Sequence, residues 1–330
     1  MFRATRSTVA ALAGALALTA GSFAVSQDVQ AWEPKKPVDF VIMAGKGGGA
    51  DKMARLMQSI IEKHKLASKP FVPINKPGGS GAEALVHLNN AKGLNADHTI
   101  MVTLNSFYTT PMRQPNLKVD SLSFAPIARM AEDTFLLWVH KESGITDFDG
   151  FVKAAKAKGN DWIMAGTGKG QEDQLITDFL NRNFDLSMKY VPYKGGGRVA
   201  KELAGKHADS TVNNPSEALG FYEAGTVIPL AAFTPDRIDL FGDAPTMTEM
   251  GHSFSYFMQR SVVGAPGMSA EAKAYYAELF KKVYDSDEWQ KYMQTKALQG
   301  EFLTGSALQA YWKENNDRHR VMLKEIGEIK

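Results

Sequence analysis

The sequence predicts an α/β protein in which strands alternate with amphipathic helices. Short apolar runs, such as residues 38–43, are followed by stretches with helical periodicity, such as residues 51–64. The apolar residues of that second stretch lie three and four positions apart: Met53, Leu56, Met57, Ile60 and Ile61. A strand, a glycine-rich loop and a helix also follow one another three times along the chain. Such alternation is typical of layered α/β folds with mostly parallel sheets.

Eight apolar runs, bounded by glycine, proline or polar residues, have the composition of strands. They lie at 38–43, 99–104, 135–140, 162–165, 189–191, 210–213, 227–233 and 261–263. Segments with apolar residues at helical spacing lie at 51–64, 171–181, 198–205, 270–284, 287–297 and 305–326. No period of 20–50 residues repeats, and no low-complexity block separates domains, so composition alone does not place a domain boundary.

The three strand–loop–helix units are VDFVIMAGKGGGADKMARL, DWIMAGTGKGQEDQLITDFL and MKYVPYKGGGRVAKELAG. In open α/β sheets, ligands bind at the carboxyl ends of strands, where such loops gather. A helix N-terminus carries unpaired N–H groups and a partial positive charge, and glycine lets the backbone approach a ligand closely. A single loop of this kind would be a tight turn, but three of them predict a binding site for an anion.

The first 31 residues have the pattern of a cleaved secretory signal. Arg3 and Arg6 precede an uncharged run over 9–25, and Val29-Gln30-Ala31 is a small-residue cleavage signal. The alternative, a retained membrane anchor, is disfavoured because the run is short and rich in alanine and glycine. The chain has no cysteine, which excludes disulfides, thiolate metal sites and the lipid-carrying cysteine of a lipoprotein. We therefore expect a soluble periplasmic protein.

Length, composition and motifs exclude several other classes of protein. The 330 residues, 44% of them hydrophobic, suffice for two domains, and a net charge of +2 argues against nucleic-acid binding. No Gly-Lys pair is followed by Ser or Thr, as a Walker loop requires, and 166–171 lacks the last glycine of a dinucleotide motif. Residues 78–82 depart from the G-x-S-x-G nucleophile motif. The seven histidines are scattered. We expect no catalytic group, cofactor or metal.

Four motifs in order resemble those of the substrate-binding receptors of tripartite tricarboxylate transporters, the Bug family of periplasmic proteins. GGGADKMAR at 47–55 resembles the family's GGGTDxxAR, and NKPGGSG at 75–81 resembles N-R-P-G-A-G-G. SFAPIARM at 123–130 resembles F-x-P-I-A, and VPYKGGG at 191–197 resembles V-P-Y-K-G. The resemblance covers essentially the whole chain after the signal.

The resemblance implies a two-lobed periplasmic binding protein of type II, the Venus-flytrap fold, in which each lobe is a sheet flanked by helices. Residues 32–134 and 254–330 would form lobe 1, and residues 135–253 would form lobe 2, with the chain crossing twice. In the family, a ligand carboxylate is held near the mouth of both lobes, largely by backbone N–H groups and bridging waters. Hydrogen bonds to an ionised acceptor of this kind are strong.

The matching loops imply main-chain ligand contacts at these positions: Gly47, Gly48, Gly49 and Ala50 in the first lobe, and Gly166, Thr167 and Gly168 in the second. Ala50 replaces the threonine of many members, so a hydroxyl contact is lost there. The candidate side chains are Asp51, Lys46, Lys169, Arg260, Ser106 and Asn214.

These side-chain candidates have alternative roles. Asp51 is interpreted mainly as a first-turn residue that organises the loop, because its charge would repel a carboxylate. Arg260 matches an arginine of the pattern W-R-G-V-V-A-P-P-G; if it faces the cleft, its planar fork suits a second carboxylate. Lys46 and Lys169 could contact the ligand as point charges or lie in solvent. Ser106 follows a strand end, where its hydroxyl could contact the ligand.

The expected function is that of a monomeric receptor that delivers a small organic acid, most simply a di- or tricarboxylate, to the large and small membrane subunits of such a transporter. Aromatic acids remain possible ligands. A sensing module whose closed form engages a signalling partner is the second hypothesis, and the sequence does not separate the two. A periplasmic hydrolase is the third, and it would need a nucleophile and a base that the sequence does not provide.

Overall fold

The computed structural model describes residues 32–330. The predicted signal peptide, residues 1–31, lies outside the described residues. Over 32–330, no helix has both the length and the apolar character that a membrane span requires.

Ten strands within residues 32–330 form two five-stranded sheets. The strands are β1 (Val38–Ile42), β2 (Phe71–Asn75), β3 (Thr99–Val102), β4 (Ala125–Asp133), β5 (Leu136–His140), β6 (Ile163–Thr167), β7 (Lys189–Tyr193), β8 (Ser210–Asn213), β9 (Val227–Ala232) and β10 (Met258–Gly264). The first sheet has the order β2-β1-β3-β10-β4, and the second has the order β7-β6-β8-β5-β9.

Helices cover both sheets. They are α1 (Gly49–Lys63), α2 (Ala82–Asn89), α3 (Ser106–Arg113), α4 (Phe148–Lys158), α5 (Glu172–Asn183), α6 (Gly196–Ala204), α7 (Pro215–Glu223), α8 (Ala270–Tyr284), α9 (Asp287–Thr295) and α10 (Gly305–Glu325). Among them, α1, α2, α8 and α10 contact the first sheet, whereas α4 to α7 contact the second. The protein is therefore two α/β lobes, each a sheet flanked by helices.

The predicted apolar stripe of α1 packs into the core as the periodicity indicates. Met53, Met57, Ile60 and Ile61 are buried, while Arg55, the charged residue between them, is exposed. A buried side chain of this size contributes roughly 1.5–3 kcal/mol through the hydrophobic effect. Packing on the first sheet thus holds α1 in place, with its N-terminus at the end of β1.

The prediction of mostly parallel sheets was wrong for half of the strand pairings. β1 pairs in parallel with β2 and β3, and β6 pairs in parallel with β7 and β8. In contrast, β10 is antiparallel to β3 and β4, and β5 is antiparallel to β8 and β9. Parallel neighbours need a crossover such as a helix. β5 follows β4 of the other sheet after only two residues, and β10 follows β9 of the second sheet in the chain. Neither strand therefore belongs to a βαβ unit.

Two strands and four helices were missed by the sequence reading. β2 contains Pro73, and proline in a strand is confined mainly to sheet edges, which is where β2 lies. β4 carries Arg129 and Glu132, which interrupt its apolar run. Proline likewise obscures two of the helices, since α3 contains Pro111 and α7 begins at Pro215. The other two missed helices are α2 and α4.

The chain passes from the first sheet to the second between β4 and β5, through only Thr134 and Phe135. It returns through the segment 233–257, where Tyr256 N–H donates to the carbonyl of Phe233, and Phe233 N–H donates to that of Phe135. The two crossings therefore lie side by side. The lobe limits at 134–135 and 253–254 stay a prediction.

Candidate functional site

A cavity of about 450 Å³ lies between the two lobes. Its lining comes from loops at the strand ends of both sheets. The first lobe contributes residues 43–45, 48–50, 77–80, 104, 258 and 260, and the second contributes 167–168, 171–173, 192–196, 214 and 217. A pocket of this size suits a small molecule.

Within residues 32–330, four helix N-termini border the cavity: those of α1, α5, α6 and α7, whose N-cap residues are Gly48, Gln171, Gly195 and Asn214. The two glycines have no side chain, and the side chains of Gln171 and Asn214 accept no hydrogen bond from their own helix. The first turn of any helix has N–H groups without an intrahelical acceptor. All three predicted strand–loop–helix units therefore meet at one cavity, as expected for an anion site.

Gly49 is the tightest point of the first loop. A Cβ atom there would lie 2.7 Å from Arg260 Nη2 and 3.4 Å from Asp133 Oδ2. At the neighbouring Gly48, an added Cβ would meet nothing closer than 3.6 Å. Only position 49 therefore requires glycine for lack of space, and there the backbone of α1 lies directly against the buried Arg260 side chain.

Arg260 lines the cavity, but its guanidinium is committed to Asp133. Both Nε, at 3.1 Å, and Nη2 donate to Asp133 Oδ2, and the two residues are 2% and 1% exposed. Burial raises the pKa of Asp133 to about 6 although Arg260 lies against it. For Arg260, burial opposes the charge, but Asp133 holds the pKa above its ordinary value. Asp133 therefore occupies Nε and Nη2 of the planar fork, and the contact of Arg260 with a second ligand carboxylate stays a prediction.

Two buried carboxylates, Glu172 and Asp173, begin α5 at the cavity wall. Asn105 N–H donates to Glu172 Oε1 at 2.7 Å, and Thr167 N–H donates to Asp173 Oδ2 at 2.7 Å. Burial raises the pKa of both carboxyl groups, and for Asp173 the neighbouring Glu172 and Glu217 raise it further. The sequence reading treated both as ordinary first-turn charges; the structure adds a loop-holding role inside the site.

Glu217, in the first turn of α7, reaches across to the other lobe. Gly49 N–H donates to its Oε1 at 3.1 Å, and Asn213 Nδ2 donates to its Oε2 at 3.0 Å. The carboxylate also covers Gly196, where an added Cβ would collide with it. Glu217 thus lies between the N-termini of α1 and α6. Sequence reasoning missed it, and its only signal was a first-turn acid after Asn214-Pro215.

Seven of the thirteen predicted site residues line the cavity: Gly48, Gly49, Ala50, Thr167, Gly168, Asn214 and Arg260. Asn214 also has a structural role, since its Nδ2 donates to the carbonyl of Thr134 at 2.7 Å on the first crossing. Five of the seven predicted main-chain positions thus line the cavity. Of the side-chain candidates, Asn214 and Arg260 line it but also make hydrogen bonds within the protein. Contact with a ligand stays a prediction for all of them.

The other six residues lie outside the cavity lining in residues 32–330. Lys46 and Gly47 are exposed at the loop tip, and Lys169 is exposed, 3.6 Å from Glu328. Ser106 is buried at the start of α3. Gly166 packs under Tyr190, whose hydroxyl donates to the carbonyl of Thr167.

Asp51, the sixth, organises the loop that precedes it. Its Oδ2 accepts from Gly47 N–H at 2.9 Å, and its Oδ1 accepts from Arg55 Nε at 3.0 Å and Asn75 Nδ2 at 2.9 Å. All the contacts of this buried carboxylate are therefore within its own lobe. These contacts agree with the interpretation of Asp51 as a loop-organising residue, and its contact with a ligand stays a prediction.

Replacing Asp51 with alanine should lower the free energy of unfolding by about 1–3 kcal/mol, because three donors lose their acceptor. Urea denaturation of the chain from Trp32 onward measures this. Asp149→Ala is the matched control, since Asp149 is an exposed first-turn acid of α4, and its effect should stay within about 0.5 kcal/mol. Equal stability of the two variants would contradict the loop-organising role.

Two α/β lobes joined by adjacent crossings, with helix N-termini facing a cavity between them, define a two-lobed solute-binding protein. The family model described as the tripartite tricarboxylate transporter family receptor matches residues 53–328. The chain therefore belongs to this family, whose members are substrate-binding receptors and not enzymes. This confirms the resemblance seen in the four sequence motifs.

Individual relatives are distant in sequence but similar in fold. Protein BugT of Bordetella pertussis is 23% identical over 249 residues, which is 73% of either chain. The structure of Rpa4515 of R. palustris with adipate superposes with a TM-score of 0.81 at 22% identity, covering 89% of this chain and 98% of that one. The structure of MatC from Rhodopseudomonas palustris with bound malate gives 0.79 at 20% identity, covering 88% and 99%.

Proposed function

We propose that this chain is a periplasmic receptor that binds a small organic acid between its lobes and delivers it to the membrane subunits of a tripartite tricarboxylate transporter. One observation carries the proposal: the N-termini of α1, α5, α6 and α7, none capped by its own N-cap side chain, converge on the cavity between the lobes. Such termini favour anions through both their N–H groups and the helix dipole.

The proposed donors to the ligand carboxylate are main-chain groups of the lining loops. Ala50 N–H in α1 and Gly196 N–H in α6 lie in first turns and so have no intrahelical acceptor. Thr167 and Gly168 border the same cavity from the end of β6. A carboxylate held by donors from α1 and α6 would contact both lobes at once.

Di- and tricarboxylates are the first candidates for the ligand. The family is named for tricarboxylate transport, and two relatives of the same fold have been solved with adipate and malate. We propose 32–134 with 254–330 and 135–253 as the lobes that close on the ligand. A ligand that contacts both lobes stabilises the closed form to the extent that it binds that form more tightly. The receptor is proposed to act as a monomer.

A thermal-shift screen of the chain from Trp32 onward, refolded to remove carried-over ligand, tests the proposal. The panel holds mono-, di- and tricarboxylates, with chloride and sulfate at equal ionic strength as controls. A ligand at about a hundred times its Kd should add roughly 2.7 kcal/mol to the free energy of unfolding. A rise in Tm with at least one carboxylate, and none with chloride, is the expected result. The absence of any shift across the panel would contradict the proposal.

A further inference from the structure

The cavity lining holds more acidic than basic side chains, which is unexpected for a receptor of acids. Among residues 32–330, the charged side chains that line it are Glu172, Asp173, Glu217, Lys194 and Arg260. Lys194 is exposed at the rim, so its charge faces solvent. The acidic side chains, in contrast, are buried or partly buried.

Arg260, the buried cation among the described lining residues, is already paired with Asp133. Asp133 lies beneath the lining, and its Oδ2 accepts from both Nε and Nη2 of Arg260. With this pair set aside, the described lining holds three carboxyl groups and one lysine at the rim. Burial raises the pKa of Glu172 and Asp173, which favours their neutral forms. A dianion beside the Glu217 carboxylate would meet a like charge, which repels strongly where water is excluded.

Glu217 differs from the other two carboxyl groups in its exposure. Glu172 and Asp173 are buried at the start of α5, where Glu172 accepts from Asn105 of the first lobe and Asp173 accepts from Thr167 of the second. Glu217 also lies between the lobes but is only partly buried, and Gly49 N–H donates to one of its oxygens and Asn213 Nδ2 to the other. Two helix N-termini, those of α1 and α7, favour a negative charge there.

The Glu217 carboxylate retains capacity for a further donor. An ionised carboxylate offers about four lone-pair positions, and Gly49 and Asn213 use two of them. The side chain is partly exposed and lines the cavity. It also occupies the N–H of Gly49, which removes that donor from a ligand carboxylate. The position therefore suits a cation better than an anion.

We propose that Glu217 selects the ligand, and that the receptor takes a small organic acid that also carries a cationic nitrogen. This inference rests on the proposed function, since the acid group of the ligand would still bind the main-chain donors of α1 and α6. The cationic nitrogen would donate to Glu217 in a charge-assisted hydrogen bond.

The cation is expected to be part of the ligand and not a separate metal ion. Within residues 32–330, no group of three or more histidine, aspartate or glutamate side chains is arranged to hold a metal. Glu172 and Asp173 direct an oxygen each to a loop N–H, and Asp133 faces Arg260. Glu217 therefore offers one carboxylate, which matches an ammonium-type group.

Isothermal titration with two pairs of acids tests the inference. Aspartate and malate differ in an ammonium in place of a hydroxyl, as do 4-aminobutyrate and 4-hydroxybutyrate, so each pair has the same number of carboxylates. The wild-type chain should bind the amino acid of at least one pair about tenfold to a hundredfold more tightly than its hydroxy partner. In Glu217→Gln, this ratio should fall to about threefold or less.

Glu223→Gln is the matched control, because Glu223 is an exposed glutamate at the end of the same helix, α7. It should keep the wild-type ratio.

A wild-type chain that binds the hydroxy acids as tightly as the amino acids would overturn the inference and leave the proposed function intact. This comparison needs no variant, so it holds even if Glu217→Gln does not fold. If Glu217→Gln kept the preference for the amino acid over the hydroxy acid, Glu217 would not be the residue that causes it. If no carboxylate of the panel shifted the Tm, the proposed function would be overturned, and this inference with it.

Discussion

Replacing Arg260 with alanine should lower the free energy of unfolding by about 3–5 kcal/mol, because the buried Asp133 loses its partner and must either stay ionised without one or take up a proton. The two side chains are each 1% exposed. Burial holds the pKa of Asp133 at about 6, so the carboxylate is ionised at neutral pH. Urea denaturation at pH 7.5 measures the loss.

Two further variants separate the buried pair from a general effect of removing arginine. Arg237→Ala breaks an exposed pair with Glu249 and should cost about 0–1 kcal/mol. Arg260→Met combined with Asp133→Leu removes both charges and should recover most of the loss, since a buried ion pair adds little net stability over apolar side chains. An Arg260→Ala variant as stable as Arg237→Ala would contradict the buried pairing and return Arg260 to the role of a ligand contact.

Replacing Gly49 with alanine should destabilise the protein by about 1–3 kcal/mol, because the added Cβ would lie 2.7 Å from Arg260 Nη2. Arg260 cannot move aside without breaking its hydrogen bonds to Asp133. The start of α1 must shift instead, and the N–H groups that border the cavity shift with it. Affinity for any carboxylate found in the screen should fall by about tenfold or more. Urea denaturation and isothermal titration measure the two effects.

Gly48→Ala is the neighbouring control. An added Cβ at position 48 meets nothing closer than 3.6 Å, and Gly48 has an extended conformation that alanine also adopts. Its stability should stay within about 0.5 kcal/mol of the wild type. Equal effects of the two substitutions would show that the space beneath Gly49 is not limiting.

Helices with a clear apolar period could be predicted almost to the residue. The stretch 270–284 was predicted as a helix and is α8, Ala270–Tyr284. Local spacing alone determines such elements, because one face packs against whatever core is present. β4 was missed because its charged Arg129 is buried by partners far along the chain: Arg129 Nε and Nη2 donate to the carbonyl of Glu301. No local pattern contains that contact.

The candidate site likewise has a part whose position could be predicted from the sequence and a part whose role could not. Gly48, Gly49, Thr167 and Gly168 could be predicted because a strand, a glycine-rich loop and a helix together specify where backbone donors are exposed. The roles of the charged side chains could not be predicted. Arg260 had the residue type for a ligand contact, but its type does not reveal that Asp133 occupies the guanidinium.

By itself, the sequence determined the α/β class, the three strand–loop–helix units and the family, because these depend on local spacing and on glycine at defined positions. Only the tertiary structure decided which charges meet. Glu217 accepts from Gly49, 168 positions away, and Arg260 pairs with Asp133, 127 positions away. Electrostatic interactions depend on distance in space and on the exclusion of water. Both are set only when the two lobes come together around the cavity.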